Sequence, residues 1–174
     1  MTLPRLSLVL GGAACGKSAF AETLVKSAAP VPTYIATAQV YDAEMAAKVK
    51  AHQTGRGGDW TTIEEPLDIA AAFAKAPADA PILIDCATLW LTNVILGDHD
   101  LERAQQNFMG AIADAGRPVV VVSNETGQGI VPENALARRF RNAQGQLNQT
   151  IAAQADLVVA VIAGLPVVLK GRLP

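Results

Sequence analysis

The chain is poor in cysteine, in aromatic residues and in charge, and each shortage excludes something. Its two cysteines, Cys15 and Cys86, are too few for a disulfide framework. Neither lies in a CxxC or Cys/His spacing that would hold zinc. A reducing compartment is the simpler reading. Aromatic residues make up 5%, so the core must be built from Ala, Val, Leu and Ile. Lys and Arg total 14 against 16 for Asp and Glu, a net charge of −2. With no basic excess to displace counterions, a dedicated nucleic-acid binder is excluded. Long apolar runs are also missing. The longest tract, Leu157 to Leu169, is interrupted by Gly164 and Pro166 and is too short to cross a bilayer. The run Leu6 to Leu10 is too short for a signal-peptide core, and cleavage after it would destroy the strongest motif in the chain. These absences describe a cytoplasmic protein with no membrane insertion and no nucleic-acid partner.

Hydrophobic residues make up 51%, ample apolar surface to offset chain entropy. A length of 174 residues fits one domain, 1–174. Short β-branched runs alternate with longer Ala-rich stretches. Leu6–Leu10, Thr33–Ala36, Ile82–Ile84, Pro118–Val122, Leu157–Ile162 and Val167–Leu169 read as strands. Helices are expected over Gly16–Ala28, Asp42–Thr54, Leu67–Lys75, Thr88–Leu96 and Leu101–Ala115, with a long one from Pro132 towards Ala155. The apolar runs are continuous rather than alternating, as in strands covered on both faces by helices. The βαβα order predicts an α/β fold with a mostly parallel sheet. A Gly-Leu-Pro turn between the last two strands predicts an antiparallel C-terminal edge. In such sheets ligands sit beyond the carboxyl ends of the strands.

After the first strand comes Gly11-Gly12-Ala13-Ala14-Cys15-Gly16-Lys17-Ser18, a match to GxxxxGK[ST]. Its glycines let backbone N–H groups wrap a polyphosphate, and the following helix adds its positive end. Lys17 is placed to reach the β- and γ-phosphates, and the Ser18 hydroxyl to ligate Mg²⁺. Asp85 follows Ile82-Leu83-Ile84 as a Walker B acid follows its strand, and is the second candidate Mg²⁺ ligand. No DxxG or NKxD motif is present, which argues against a switch GTPase. Met45, Val49 and His52 share one helical face, so spacing alone describes a half-buried histidine. His99, between Asp98 and Asp100, reads as solvated. Asn124-Glu125-Thr126-Gly127-Gln128-Gly129 reads as a movable strand-end loop. In the next helix Asn134, Arg138, Arg141, Gly145 and Asn148 form a stripe, either a contact for substrate or partner or a solvated face. From these residues alone two alternatives stand beside a nucleotidyl-transferring enzyme. One is a P-loop small-molecule kinase in which His52 is structural; the other is a nucleotide-dependent interaction protein.

Taken together, the residues resemble one family, the bifunctional adenosylcobinamide kinase / adenosylcobinamide-phosphate guanylyltransferase of cobalamin biosynthesis. The similarity rests on the Gly11–Ser18 loop, Tyr34-Ile35-Ala36-Thr37-Ala38-Gln39, Asp42-Ala43-Glu44-Met45 leading to His52, Gly55-Arg56, Trp60, Thr92-Asn93 and the block Asn124–Asn134. The resemblance implies a P-loop NTPase-like fold and two reactions, with Mg²⁺ as cofactor and ATP and GTP as substrates. A nucleoside triphosphate phosphorylates the aminopropanol hydroxyl of adenosylcobinamide. GMP from GTP then passes to adenosylcobinamide phosphate, with release of pyrophosphate. It further implies that His52 carries GMP as a phosphoramidate. Ile35, Ala36, Thr37, Gln53, Thr54, Gly55, Arg56, Glu64 and Asp85 would surround the guanine nucleotide, and the subunits would form a homotrimer. Two positions depart from the family. Ala51 stands where a second histidine often precedes the nucleophile, and Asp85 stands where the acid is often Glu.

Overall fold

The computed structural model describes residues 2–39 and 59–174. Its central feature is a seven-stranded sheet in the order β3-β2-β4-β5-β1-β6-β7. The strands are β1 (Leu6–Gly11), β2 (Thr33–Ala36), β3 (Thr61–Glu64), β4 (Ile82–Asp85), β5 (Val119–Asn124), β6 (Leu157–Ile162) and β7 (Leu165–Lys170). β1 to β6 pair in parallel, and β7 runs antiparallel to β6. The C-terminal antiparallel edge expected from the sequence is present.

Two apolar layers cover the sheet. Successive side chains along a strand point to opposite faces, so β5 places Val119 and Val121 in one layer and Val120 and Val122 in the other. The first layer is closed by α2 (Ile69–Lys75), α3 (Ala87–Leu96), α4 (Leu101–Ala113) and α5 (Ala135–Gln154). Its aromatic centre is Trp90 against Phe108, with ring centroids 4.5 Å apart. Among the described elements α1 (Lys17–Lys26) closes the second layer, through Ala21, Leu24 and Val25. The Ala, Val, Leu and Ile core is what the low aromatic content required.

Three local expectations are corrected. β3 was absent from the sequence reading; Thr61-Thr62-Ile63-Glu64 is short, polar and half exposed, and only its pairing with β2 makes it a strand. The long helix does not open at Pro132. Asn134 caps α5, its carboxamide oxygen accepting from Leu136 N at 2.8 Å and Ala137 N at 3.1 Å. This satisfies N–H groups that the first helical turn leaves without a partner. The last turn is at Ala163 and Gly164, both at positive φ. Leu165 and Pro166 therefore belong to β7 rather than to the turn. The expected Asp42–Thr54 helix lies outside the described residues. No helix among the described residues is long and apolar enough to cross a membrane.

Candidate active site

The Gly11–Ser18 segment leaves the carboxyl end of β1 and enters α1. Its backbone takes the left-handed conformation at Ala14 (φ 54°) and Gly16 (φ 94°). Such reversals turn successive N–H groups towards one point and form an anion-binding nest. Gly16 is the N-cap of α1 and has no side chain to satisfy the first-turn N–H groups. Those donors and the positive end of the helix remain for a phosphate. Lys17 Nζ donates to the Gly12 carbonyl at 3.0 Å, so the cation is folded over its own loop.

The loop is braced by the turn that follows the neighbouring strand β6. Gly164 N, in the β6–β7 turn, donates to the Cys15 carbonyl at 2.8 Å. A Cβ on Gly11 would stand 2.3 Å from Cys15 Sγ and 2.7 Å from the Val161 carbonyl oxygen. The second obstacle is backbone and cannot yield cheaply. Gly11→Ala is therefore expected to cost about 1–3 kcal/mol of stability through overpacking. A denaturant midpoint at constant slope checks this.

Asp85 ends β4, on the α1 side of the sheet by strand alternation, because Leu83 lies in that layer. Tyr34 Oη donates to Asp85 Oδ2 at 2.9 Å. The bond holds the carboxylate while engaging one of its two oxygens. Next to it the Cys86 thiol is pushed up to about 12, first by burial, then by the neighbouring Asp85 charge. It is therefore a neutral thiol near pH 7 and no nucleophile; its sulfur caps α3, accepting from Leu89 N at 3.5 Å. Both cysteines are free.

Of the other expected residues, Ile35 lies within β2, its side chain buried in the layer opposite α1, and Ala36 ends β2. Thr37 is fully buried, its hydroxyl donating to the Cys86 carbonyl at 2.7 Å and accepting from Cys86 N at 2.9 Å. Glu64 ends β3, opposite Ala36 in the register, and is exposed. The carboxyl ends of β1, β2, β3 and β4 thus carry the Gly11–Ser18 loop, Ala36–Thr37, Glu64 and Asp85 along one edge of the sheet. His52, Gln53, Thr54, Gly55 and Arg56 lie outside the described residues. Ser18 stands in the first turn of α1. Its hydroxyl and the Asp85 carboxylate are hard oxygen donors, the chemistry that suits Mg²⁺. No cluster of three or more His, Cys, Asp or Glu occurs among the described residues. Ser18 and Asp85 are the described residues that could hold a Mg²⁺ ion at this end of the sheet. His99 is exposed, as expected.

The α5 stripe is exposed at Asn134 and Arg138 and buried at Asn148, and its side chains bond to neighbouring backbone. Asn134 caps the helix, and Arg138 donates to the Pro132 carbonyl at 2.9 Å. Arg141 donates to the Gly127 carbonyl at 2.7 Å, while Gly127 N donates to Glu125 Oε1 at 2.6 Å. Asn148 is buried, accepting from Ser123 Oγ at 2.6 Å and donating to the Asn124 carbonyl at 3.0 Å. The stripe therefore holds the end of β5 and the loop after it. Sequence periodicity placed these residues on one face but left open what that face meets.

This is a P-loop NTPase-like α/β protein, with a mostly parallel sheet and its phosphate-type loop at the end of β1. Two solved structures share the fold: the RadB recombinase, with a TM-score of 0.50 and 15% identity over 99% of this chain and 84% of that one, and a Pyrococcus horikoshii protein, with a TM-score of 0.52 and 9% identity over 98% and 88%. Residues 7–169 match the family described as cobinamide kinase / cobinamide phosphate guanyltransferase, and the chain belongs to that family. It is 41% identical to the bifunctional adenosylcobalamin biosynthesis protein CobP of Pseudomonas aeruginosa, over 95% of this chain and 97% of the relative. It is 43% identical to the bifunctional adenosylcobalamin biosynthesis protein CobU of Salmonella typhimurium, over 94% and 98%. Membership makes it a bifunctional transferase, kinase and guanylyltransferase, of cobalamin nucleotide-loop assembly.

Proposed function

We propose that this chain phosphorylates the aminopropanol hydroxyl of adenosylcobinamide and then transfers GMP from GTP to the new phosphate through His52. The observation that carries the reading is the Gly11–Ser18 nest opening onto the uncapped start of α1, in a chain of this family. Adenosylcobinamide, its phosphate, ATP and GTP are the substrates, and a single unit, 1–174, serves both steps in the cytoplasm. A homotrimer is the proposed assembly.

In the kinase step the substrate hydroxyl oxygen attacks the γ-phosphorus. The bond to the bridging oxygen breaks, and the nucleoside diphosphate leaves. Phosphoryl transfer is largely positioning and charge stabilisation. The loop N–H groups orient the triphosphate, and Lys17 exchanges its Gly12 contact for β- and γ-oxygens. Bound Mg²⁺, held by Ser18 and Asp85, would supply further neutralisation of phosphate charge. In the second step a neutral imidazole nitrogen of His52 attacks the α-phosphorus of GTP, forming a P–N bond as pyrophosphate departs. A phosphate oxygen of adenosylcobinamide phosphate then displaces the histidine, giving adenosylcobinamide-GDP. A histidine imidazole can act as the covalent nucleophile of such a transfer. Ile35, Ala36, Thr37, Gln53, Thr54, Gly55, Arg56 and Glu64 are proposed to surround the nucleotide.

Intact-protein mass after exposure to GTP and Mg²⁺ tests the reading. The expected result is a protein heavier by one GMP, with equivalent pyrophosphate released and an acid-labile, alkali-stable linkage. An unmodified protein that still phosphorylates cobinamide would instead establish the small-molecule kinase.

A further inference from the structure

α3 carries a residue that its surroundings do not call for. The helix reads Ala-Thr-Leu-Trp-Leu-Thr-Asn-Val-Ile-Leu, and Asn93 within it is only 3% exposed. Trp90, Leu91, Val94 and Ile95 around it belong to the apolar layer. A buried amide in such a setting is costly unless its hydrogen bonds are made. Here they are made over long sequence distances. Asn93 Nδ2 donates to the Thr37 carbonyl at 2.8 Å and to the Pro66 carbonyl at 3.0 Å. Thr37 is the residue after β2, and Pro66 lies in the turn between β3 and α2.

Thr37 and Pro66 lie one and two residues past the last paired positions, Ala36 and Glu64. One planar amide spans the two turns. The rest of the region is already tied down. Thr37 is bonded by its hydroxyl to Cys86, and Glu65 N donates to the Ala36 carbonyl at 3.0 Å. Glu65 Oε1 accepts from Leu67 N and Asp68 N, at 3.2 and 3.0 Å. Trp90 Nε1 donates to the Leu67 carbonyl at 3.0 Å. Beside the Glu65 N bond to the Ala36 carbonyl, Asn93 adds a side-chain link between the β2 turn and the β3 turn.

We infer that Asn93 is a positioning residue for the guanine nucleotide, holding the Thr37 peptide, just past the β2–β3 pairing, against the Pro66 turn. It touches no substrate. The inference rests on the proposed placing of Ile35–Thr37 and Glu64 around the nucleotide. A residue present only for packing would be replaced by leucine without functional loss, because a leucine would suit the layer. A residue present for geometry would show its absence in nucleotide affinity.

The test compares Asn93→Leu, which keeps an apolar side chain, with Asn93→Asp, which keeps the shape but has no N–H donor. Pyrophosphate release is followed with GTP and cobinamide phosphate, alongside thermal melting. The expected result is a KM for GTP raised about tenfold, or about 1.4 kcal/mol, with kcat within about twofold. Combination with Thr37→Val should be less than additive in log KM, because both changes loosen the same turn. An unchanged KM in either folded variant overturns the inference, as does strict additivity with Thr37→Val. A wild-type protein that forms no GMP adduct overturns the underlying site reading instead, so the two failures are distinguishable.

Discussion

His52→Ala is expected to abolish the GMP adduct and guanylyl transfer while largely sparing phosphorylation of the cobinamide hydroxyl. The asymmetry follows from the chemistry. Nucleotidyl transfer through an enzyme intermediate needs a nucleophile within roughly 3–3.5 Å of the α-phosphorus. Transfer of the γ-phosphoryl group to a hydroxyl needs the phosphate loop and charge stabilisation but no covalent intermediate. The neighbouring position is Ala51, so no adjacent imidazole substitutes for the lost one. Cys86 offers no replacement either, since its buried thiol stays protonated near neutral pH. A histidine that served only packing would lower both activities together, in step with stability. Adduct mass and the two activities, measured on the same folded variant, separate these outcomes. Persistence of the adduct in His52→Ala would place the nucleophile at another residue.

Lys17→Ala is expected to lower both activities by about 10²–10³, the usual consequence of removing one strong electrostatic contact to a reacting group. The protein should remain folded. The ammonium bonds the Gly12 carbonyl in an exposed contact, which contributes little to stability. Both reactions depend on the same grip on the triphosphate, so the two rates should fall together, unlike those of the His52 variant. Unchanged rates with normal GTP binding would remove the Gly11–Ser18 loop from the mechanism. The pair of variants therefore tests the division of labour: one residue shared by both steps, one private to the second.

Much of this was legible before any fold was known, for identifiable reasons. The GxxxxGK[ST] spacing is a local property, because a tight backbone nest and the helix after it are built from consecutive residues. Asp85 was found because a carboxylate at the end of an apolar strand is conspicuous in a chain with so few charges. The C-terminal hairpin was expected from the short interval between two β-branched runs, although its turn is Ala163–Gly164 rather than Gly164–Pro166. β3 escaped because Thr61–Glu64 has neither length nor apolar content, and edge strands in this position gain their identity from a partner.

What the sequence by itself determined is the local chemistry: the phosphate loop, the acid after β4, the alternation of strands and helices, and the likeness to one family. The tertiary structure alone decided the strand order, which separates the loop on β1 from Asp85 on β4 by the whole of β5. It also decided that Arg141 and Asn148 bond to the end of β5 and the loop after it. The same holds for Asn93, one polar letter in an apolar helix until Thr37 and Pro66 are brought to its amide. The physical reason is common to all three. Periodicity and propensity act over one or two turns of chain, whereas the partners of these groups lie 14 to 56 residues away. Only packing of the two layers against the sheet brings those partners within hydrogen-bond distance.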